Sequence, residues 1–219
     1  LAILHETTLS PTKLELLSRW LPGQPWFSGD ATALQQVGSF RFDDPDGEVG
    51  IETLLVTAGG DDVFQVPLTY RGGPPAVSPG SVIGTLEHGV LGQRWVSEGS
   101  HDPAYIRAVV ETVLFGRGEA ARLLDTGGEP VVLENDTRVR GSGIDVDELD
   151  ASAEPTRAAG VTTRVETGIG VIEIVRRLGL DAAAPERSGI LVGTWPGQAD
   201  PVLLAAVQLN AAALRQSES

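Results

Sequence analysis

Leu14, Leu17 and Leu21 recur at helical spacing, with Trp20 beside the stripe. Ser10-Pro11 stands ahead of them as an N-cap followed by proline at the first helical position, and Pro22-Gly23 stops the pattern, so a helix is expected between the two signals. From Val37 the period changes from helical to alternating. SFRFDD and VGIETLLVT predict a hairpin, with Asp46-Gly47 supplying its turn. Gly59-Gly60-Asp61-Asp62 makes a second turn, and VFQVPLTYR alternates as a third strand. Phe64, Val66 and Leu68 share one face of it, while Gln65 and Pro67 share the other. Pro67 has no N–H for a ladder, which places it at an edge or a bulge.

RGGPPAVSPGS at 71–81 is a loop, and SVIGTLEHGVLGQRWVSEG supplies one or two short strands. Asp102-Pro103 repeats the cap-and-proline signature. Ile106, Val109, Val110, Val113 and Leu114 then follow the i, i+3, i+4, i+7, i+8 pattern of an amphipathic helix. Gly116 and Gly118 weaken its continuation, with EAARLL as a potential extension. VVLENDTRVRG predicts a strand or two, and the acidic IDVDELDASAEPTRAAG a loose connection. GVIEIVRRL and GILVGTWPG are strand-like; PVLLAAVQLNAAAL begins as a strand and has the composition to finish as a short helix. The fold class expected is α+β: a curved antiparallel sheet packed by an N-terminal and a second helix, continued by a C-terminal antiparallel meander. The expected regions are residues 1–125, α+β, and 126–219, β-rich and packed on the first.

Composition narrows the function. With 219 residues and 41% hydrophobic content the chain can bury a substantial core. It has no cysteine, so disulfides and thiolate metal sites are excluded. No apolar run is long enough to span a bilayer, and LAILHETTLSPTK lacks the features of a secretory signal. A cytoplasmic protein with no membrane partner is expected. The net charge of −14 opposes nucleic-acid binding, and the Arg176-Arg177 doublet sits inside an apolar pattern rather than on a basic stripe.

Catalytic motifs are incomplete. Thr167-Gly168-Ile169-Gly170 lacks a following helix and reads as a turn or bulge, not a phosphate loop. No GxSxG elbow is present. His5, His88 and His101 are scattered without metal-ligand spacing, and Glu87-His88 point to opposite strand faces. Asp43, Asp44, Asp46 and Glu48 cluster as solvated hairpin-turn residues rather than as a glycosidase pair. HGVLGQ at 88–93 echoes a kinase catalytic loop, but Val90 stands where that loop needs its aspartate. No catalytic residue, metal site or cofactor is expected.

The segments SPTKLELLSRWLPGQPWF, FRFDDPDGEVGIETLLV, VFQVPLTYRGGP and TLEHGVLGQRWVSEGSHDP resemble, in content and order, the maltokinase N-terminal cap domain. Leu21, Pro22, Gln24, Trp26 and Phe27 match its L-P-x-Q-x-W-F segment; Val66, Pro67, Leu68 and Tyr70 match its V-P-L-x-Y run. Ser28-Gly29-Asp30 departs from the basic stretch that commonly follows in the kinases, and no kinase-lobe motif follows. The resemblance implies a cystatin-like cap of a helix against a curved sheet, standing alone. It also implies a non-catalytic binding or regulatory role beside glycogen, maltose or trehalose metabolism. The expected partner is a sugar kinase, a glucan-metabolism enzyme or a second copy of the chain. The alternative is a carbohydrate-binding protein or cryptic carbohydrate-active enzyme, with Trp26, Tyr70, Arg71, His88, Arg94 and Trp95 as candidate binding residues. Packing of Trp20 onto the sheet, and of Trp26-Phe27 across the helix-to-strand connection, is the competing role for those aromatics.

Overall fold

The computed structural model describes residues 2–5, 8–75, 79–125, 131–143, 161–168, 170–179 and 189–210. The expected loose connection at 144–160, the 180–188 segment and the expected closing helix beyond 210 lie outside them. Strands β1 (Ala2–His5) and β2 (Leu9–Ser10) precede helix α1 (Lys13–Trp20). Strands β3 (Leu34–Phe42), β4 (Gly50–Ala58), β5 (Val63–Arg71), β6 (Val82–His88) and β7 (Gly92–Glu98) lead to helix α2 (Pro103–Leu114). Eight strands follow: β8 (Arg122–Asp125), β9 (Val131–Leu133), β10 (Arg138–Gly141), β11 (Thr162–Thr167), β12 (Gly170–Val175), β13 (Arg177–Leu178), β14 (Gly189–Trp195) and β15 (Gln198–Leu209). The chain is mostly β with two α-helices among the described residues, which is the α+β architecture expected.

The central sheet is antiparallel in the order β2-β6-β7-β5-β4-β3, with β13 joining β5. Asp46-Gly47 and Gly59 lie in its expected turns, both glycines at positive φ. A second antiparallel sheet runs β10-β14-β15-β12-β11, so the last strand lies between β14, its hairpin partner, and β12. A small third sheet pairs β1 parallel to β8, and β8 antiparallel to β9.

Helix α1 starts at Lys13, two residues later than the Ser-Pro signal proposes. Thr12 is the N-cap: its hydroxyl accepts from the Glu15 N–H at 3.2 Å, and the Glu15 carboxylate accepts from the Thr12 N–H at 2.7 Å. Two reciprocal bonds outweigh one serine cap, and Ser10 pairs with Glu87 in the sheet instead. Helix α2 starts where expected, with the Asp102 carboxylate accepting from the Ala104 N–H at 3.0 Å. It does not continue through EAARLL. Gly116 turns to φ +60°, and the Arg117 N–H reaches back to the Thr112 carbonyl at 2.9 Å, the bond that closes a helix C-terminus. Residues 122–125 become β8 instead.

Both faces of the central sheet are covered. On one, Leu16, Leu17 and Leu21 of α1 pack on Leu54, Val56, Phe64, Val66 and Leu68. On the other, Phe40, Phe42, Ile51 and Leu55 meet Val109 and Val113 of α2, together with Ile172, Ile174, Leu191 and Val207 of the second sheet. That apolar cluster draws on residues from both sides of position 125. Gln65, on the α2 face, donates to the carbonyls of Val175 and Leu204 at 2.8 and 2.9 Å. Pro67 sits in the gap between the stretch of β5 paired with β13 and the stretch paired with β7, where no ladder donor is needed.

Candidate functional site

Strand register sorts the six candidate residues. Tyr70 lies on the α1 face with Phe64, Val66 and Leu68, two residues apart in turn. Arg94 shares that face, because it pairs with the core residue Leu86. Arg71 and Trp95 are cross-strand partners one position along, so both point to the α2 face. Trp26 packs on Phe64 at the opposite end of β5, with ring centroids 6.5 Å apart. His88 sits at the tip of the β6–β7 hairpin, where its Nδ1 accepts from the Leu91 N–H at 3.1 Å. The six do not converge on one cleft. They form two neighbouring pairs on opposite faces, an isolated aromatic and a turn residue.

The aromatic segment at 20–27 packs as a lid. Trp20 meets Trp26 edge-on at 6.0 Å, and Phe27 lies 5.0 Å from Phe64, so the segment seals the α1-to-sheet connection. Trp26 also has a charged neighbour that sequence reasoning missed. The guanidinium of Arg176 lies 4.9 Å from its ring centre. Arg176 is 1% exposed; it donates to Glu98 at 2.8 Å, Ser100 at 3.0 Å and Thr163 at 2.7 Å. Glu98 also contacts His101 Nδ1 at 2.8 Å and takes the Ser100 hydroxyl bond. Burial by itself would raise the Glu98 pKa, but Arg176 and these hydrogen bonds hold it down at about 2. The hydrogen bond that His101 gives to Glu98 raises the His101 pKa. Ser100, His101 and Glu98 do not form a catalytic relay. Both the hydroxyl and the carboxylate fall on Nδ1 of the ring, whereas a relay needs one on each nitrogen.

Tyr70 has a second set of neighbours. Its hydroxyl donates to Glu52 Oε2 at 2.8 Å, and Lys13 Nζ donates to the same oxygen at 2.6 Å. Lys13 Nζ stands 5.6 Å from the centre of the Tyr70 ring. Arg41 pairs with Glu52 across the β3–β4 ladder and so shares its face. Burial would raise the Glu52 pKa; the charges of Lys13 and Arg41 and the bonds from Lys13 and Tyr70 bring it to about 2. On the opposite face Arg71 forks onto Asp102, with Nη2 to Oδ1 at 2.9 Å, while the Thr69 hydroxyl donates to Asp102 at 2.7 Å. Arg71 is thereby engaged in holding the start of α2.

The acidic hairpin turn is less solvated than its composition suggests. Asp44 accepts from the N–H groups of Glu48 and Val49 at 3.2 and 3.0 Å and from Arg107 at 3.0 Å, so it organises the turn and ties it to α2. HGVLGQ forms the β6–β7 turn, with Val90 and Leu91 59% and 46% exposed at its tip. Thr167 and Gly170 pair across the β11–β12 turn. No group of three potential metal ligands exists among the described residues. No described helix is long and apolar enough to cross a membrane.

The described residues form an α+β domain, with a helix on a curled antiparallel sheet and a capped second helix at its exit. The family model of the maltokinase N-terminal cap domain matches residues 20–102, from the end of α1 to the N-cap of α2, and no kinase-domain match accompanies it. The resemblance carried by the W-F and V-P-L-x-Y segments is thus shown over that span. No curated protein matches the chain.

Proposed function

We propose that this chain is a non-catalytic binding or regulatory module that acts through a protein partner in maltose, glycogen or trehalose metabolism. The observation that carries the proposal is the match of residues 20–102 to a domain named for its place in a sugar kinase. Two features support it. The buried acids Glu98, Asp102 and Glu52 are held by cations in fixed ion pairs, an arrangement suited to structure rather than to proton transfer. The Val90-Leu91 tip offers apolar contact area to a partner.

The test is capture of the tagged full chain from its host's lysate, followed by kinetics on the captured enzyme. Stoichiometric recovery of a sugar kinase or glucan enzyme is expected, with a change in its rate when the purified chain is added. Recovery of the chain alone, or of an enzyme whose rate does not change, overturns the reading.

A further inference from the structure

Many of the described arginines are paired with acids. Among the described residues Arg71, Arg107, Arg117, Arg138, Arg164, Arg176 and Arg177 each form an ion pair with a carboxylate. In a chain of net charge −14, such pairing is the expected outcome. Arg19, Arg41, Arg94, Arg122 and Arg140 form no such pair, and of these five only Arg94 has a buried side-chain nitrogen, its Nε, without a hydrogen-bond partner. Arg41 and Arg94 are set by strand register on the α1 face of the central sheet, the face of Tyr70.

The two flank the same residue, each beside a glycine. A Cβ on Gly50 would sit 3.5 Å from both Arg41 Nη2 and Tyr70 Cδ2. A Cβ on Gly72, just past the end of β5, would sit 2.8 Å from Arg94 Nη1. Gly50 pairs directly with Tyr70. Arg94 comes from β7 on one side of β5 and Arg41 from β3 beyond β4 on the other, so the two side chains approach Tyr70 from opposite sides. Lys13 stands above the ring, its charge offset by Glu52 at 2.6 Å. The cluster of Lys13, Arg41, Arg94 and Glu52 thus carries two uncompensated positive charges.

We propose that this cluster is a binding site for a phosphate monoester. The phosphoryl group lies between Arg41 and Arg94, and Tyr70 supplies an aromatic side to the group that carries it. A phosphate monoester bears a charge of about −1.5 to −2 near neutral pH and offers three acceptor oxygens, matching two guanidinium forks. The site does not depend on a protein partner, so it stands or falls separately from the regulatory reading.

Isothermal titration of the purified full chain with glucose 6-phosphate, inorganic phosphate and glucose tests the proposal. Glucose 6-phosphate is expected to bind, glucose to give no heat, and added KCl to weaken binding. Arg41→Gln and Arg94→Gln should each weaken it at least tenfold, and the pair together should abolish it. Far-UV circular dichroism and the thermal midpoint of each variant confirm that the fold is retained. Inorganic phosphate binding as tightly as the ester, with the same dependence on both arginines, keeps the phosphate site but names the free ion as its source. Absence of binding by both phosphate species, or binding indifferent to Arg41→Gln and Arg94→Gln in folded variants, overturns the proposal.

Discussion

Glu52 and Glu98 flank the same residue. Leu68 pairs with Glu52 on one side and with Glu98 on the other, which sets the two carboxylates in one row on one face of the central sheet. Both are buried and both are held at a pKa of about 2 against the burial that opposes ionisation. Their partners differ. Glu98 is closed over by Arg176, which comes from 78 positions along the chain and is 1% exposed. Glu52 is met by Lys13 at the start of α1, whose side chain is 26% exposed, with Arg41 beside it. The same electrostatic solution thus does two jobs. A closed cluster ties the second sheet to the first, and an open one leaves cations at a rim where a ligand can reach them.

The largest expected effect lies on the closed side. Arg176→Ala leaves Glu98 buried without its cation and should cost about 3–5 kcal/mol in urea denaturation. Replacing both partners by apolar residues, Arg176→Met with Glu98→Leu, should recover most of that loss, because no unpaired charge remains. On the open side Lys13→Ala should cost nearer 1 kcal/mol, since water can reach Glu52 in its place. Equal losses at the two positions would break the contrast between closed and open.

Acid should act on both together. Each carboxylate has a folded pKa near 2, below the ordinary value of 4.5. Its contribution is therefore complete above about pH 4.5 and is lost as pH falls toward 2. A shift of that size corresponds to roughly 3 kcal/mol for each group. Glu52→Gln and Glu98→Gln should each flatten the stability curve between pH 4.5 and 2. A curve in either variant as steep as the unmodified protein's would remove that group from the account.

Local signals in the sequence were enough for most of the fold. The helices, the hairpin turns at Asp46-Gly47 and Gly59, and the Asp102 cap all follow from spacing within a dozen residues. Even the corrected start of α1 was present as Thr12-x-x-Glu15, beside a competing Ser-Pro signal. The clusters were legible only in part. Tyr70 and Arg94 stood out as rare aromatic and basic groups, whereas Glu52 stood in an apolar strand with no mark of its partners. Lys13 and Arg41 come from separate elements, and only the docking of α1 and the register of β3 with β4 bring them to Tyr70. Arg176 looked like a charge interrupting an apolar run, because Glu98 lies too far along the chain for any local pattern to join them.

A finer test of the open cluster uses charge alone. Glu52→Gln removes the carboxylate that offsets Lys13, so glucose 6-phosphate should bind a few-fold more tightly, by roughly 1 kcal/mol at an effective dielectric near that of a protein surface. Glu98→Gln, in the same row but closed over by Arg176, should leave that affinity unchanged. Equal responses would mean that ligand affinity reports the charge of the whole chain rather than of this rim.

The smallest effect separates the two clusters near neutral pH. His101 is bonded to Glu98, and that bond raises its pKa above the ordinary 6.5. Its stabilising contribution is therefore fully present below about pH 6.5 and is lost as pH rises through the folded value. The imidazole is 56% exposed, so solvent and salt screen most of the interaction. The thermal midpoint should drift slightly downward from pH 6 to pH 8, more in low salt than in high. His101→Gln should remove that drift and leave the acid limb below pH 4.5 largely in place. A drift that survives His101→Gln would belong to another histidine and would leave the Glu98 cluster, like that of Glu52, indifferent to pH in the neutral range.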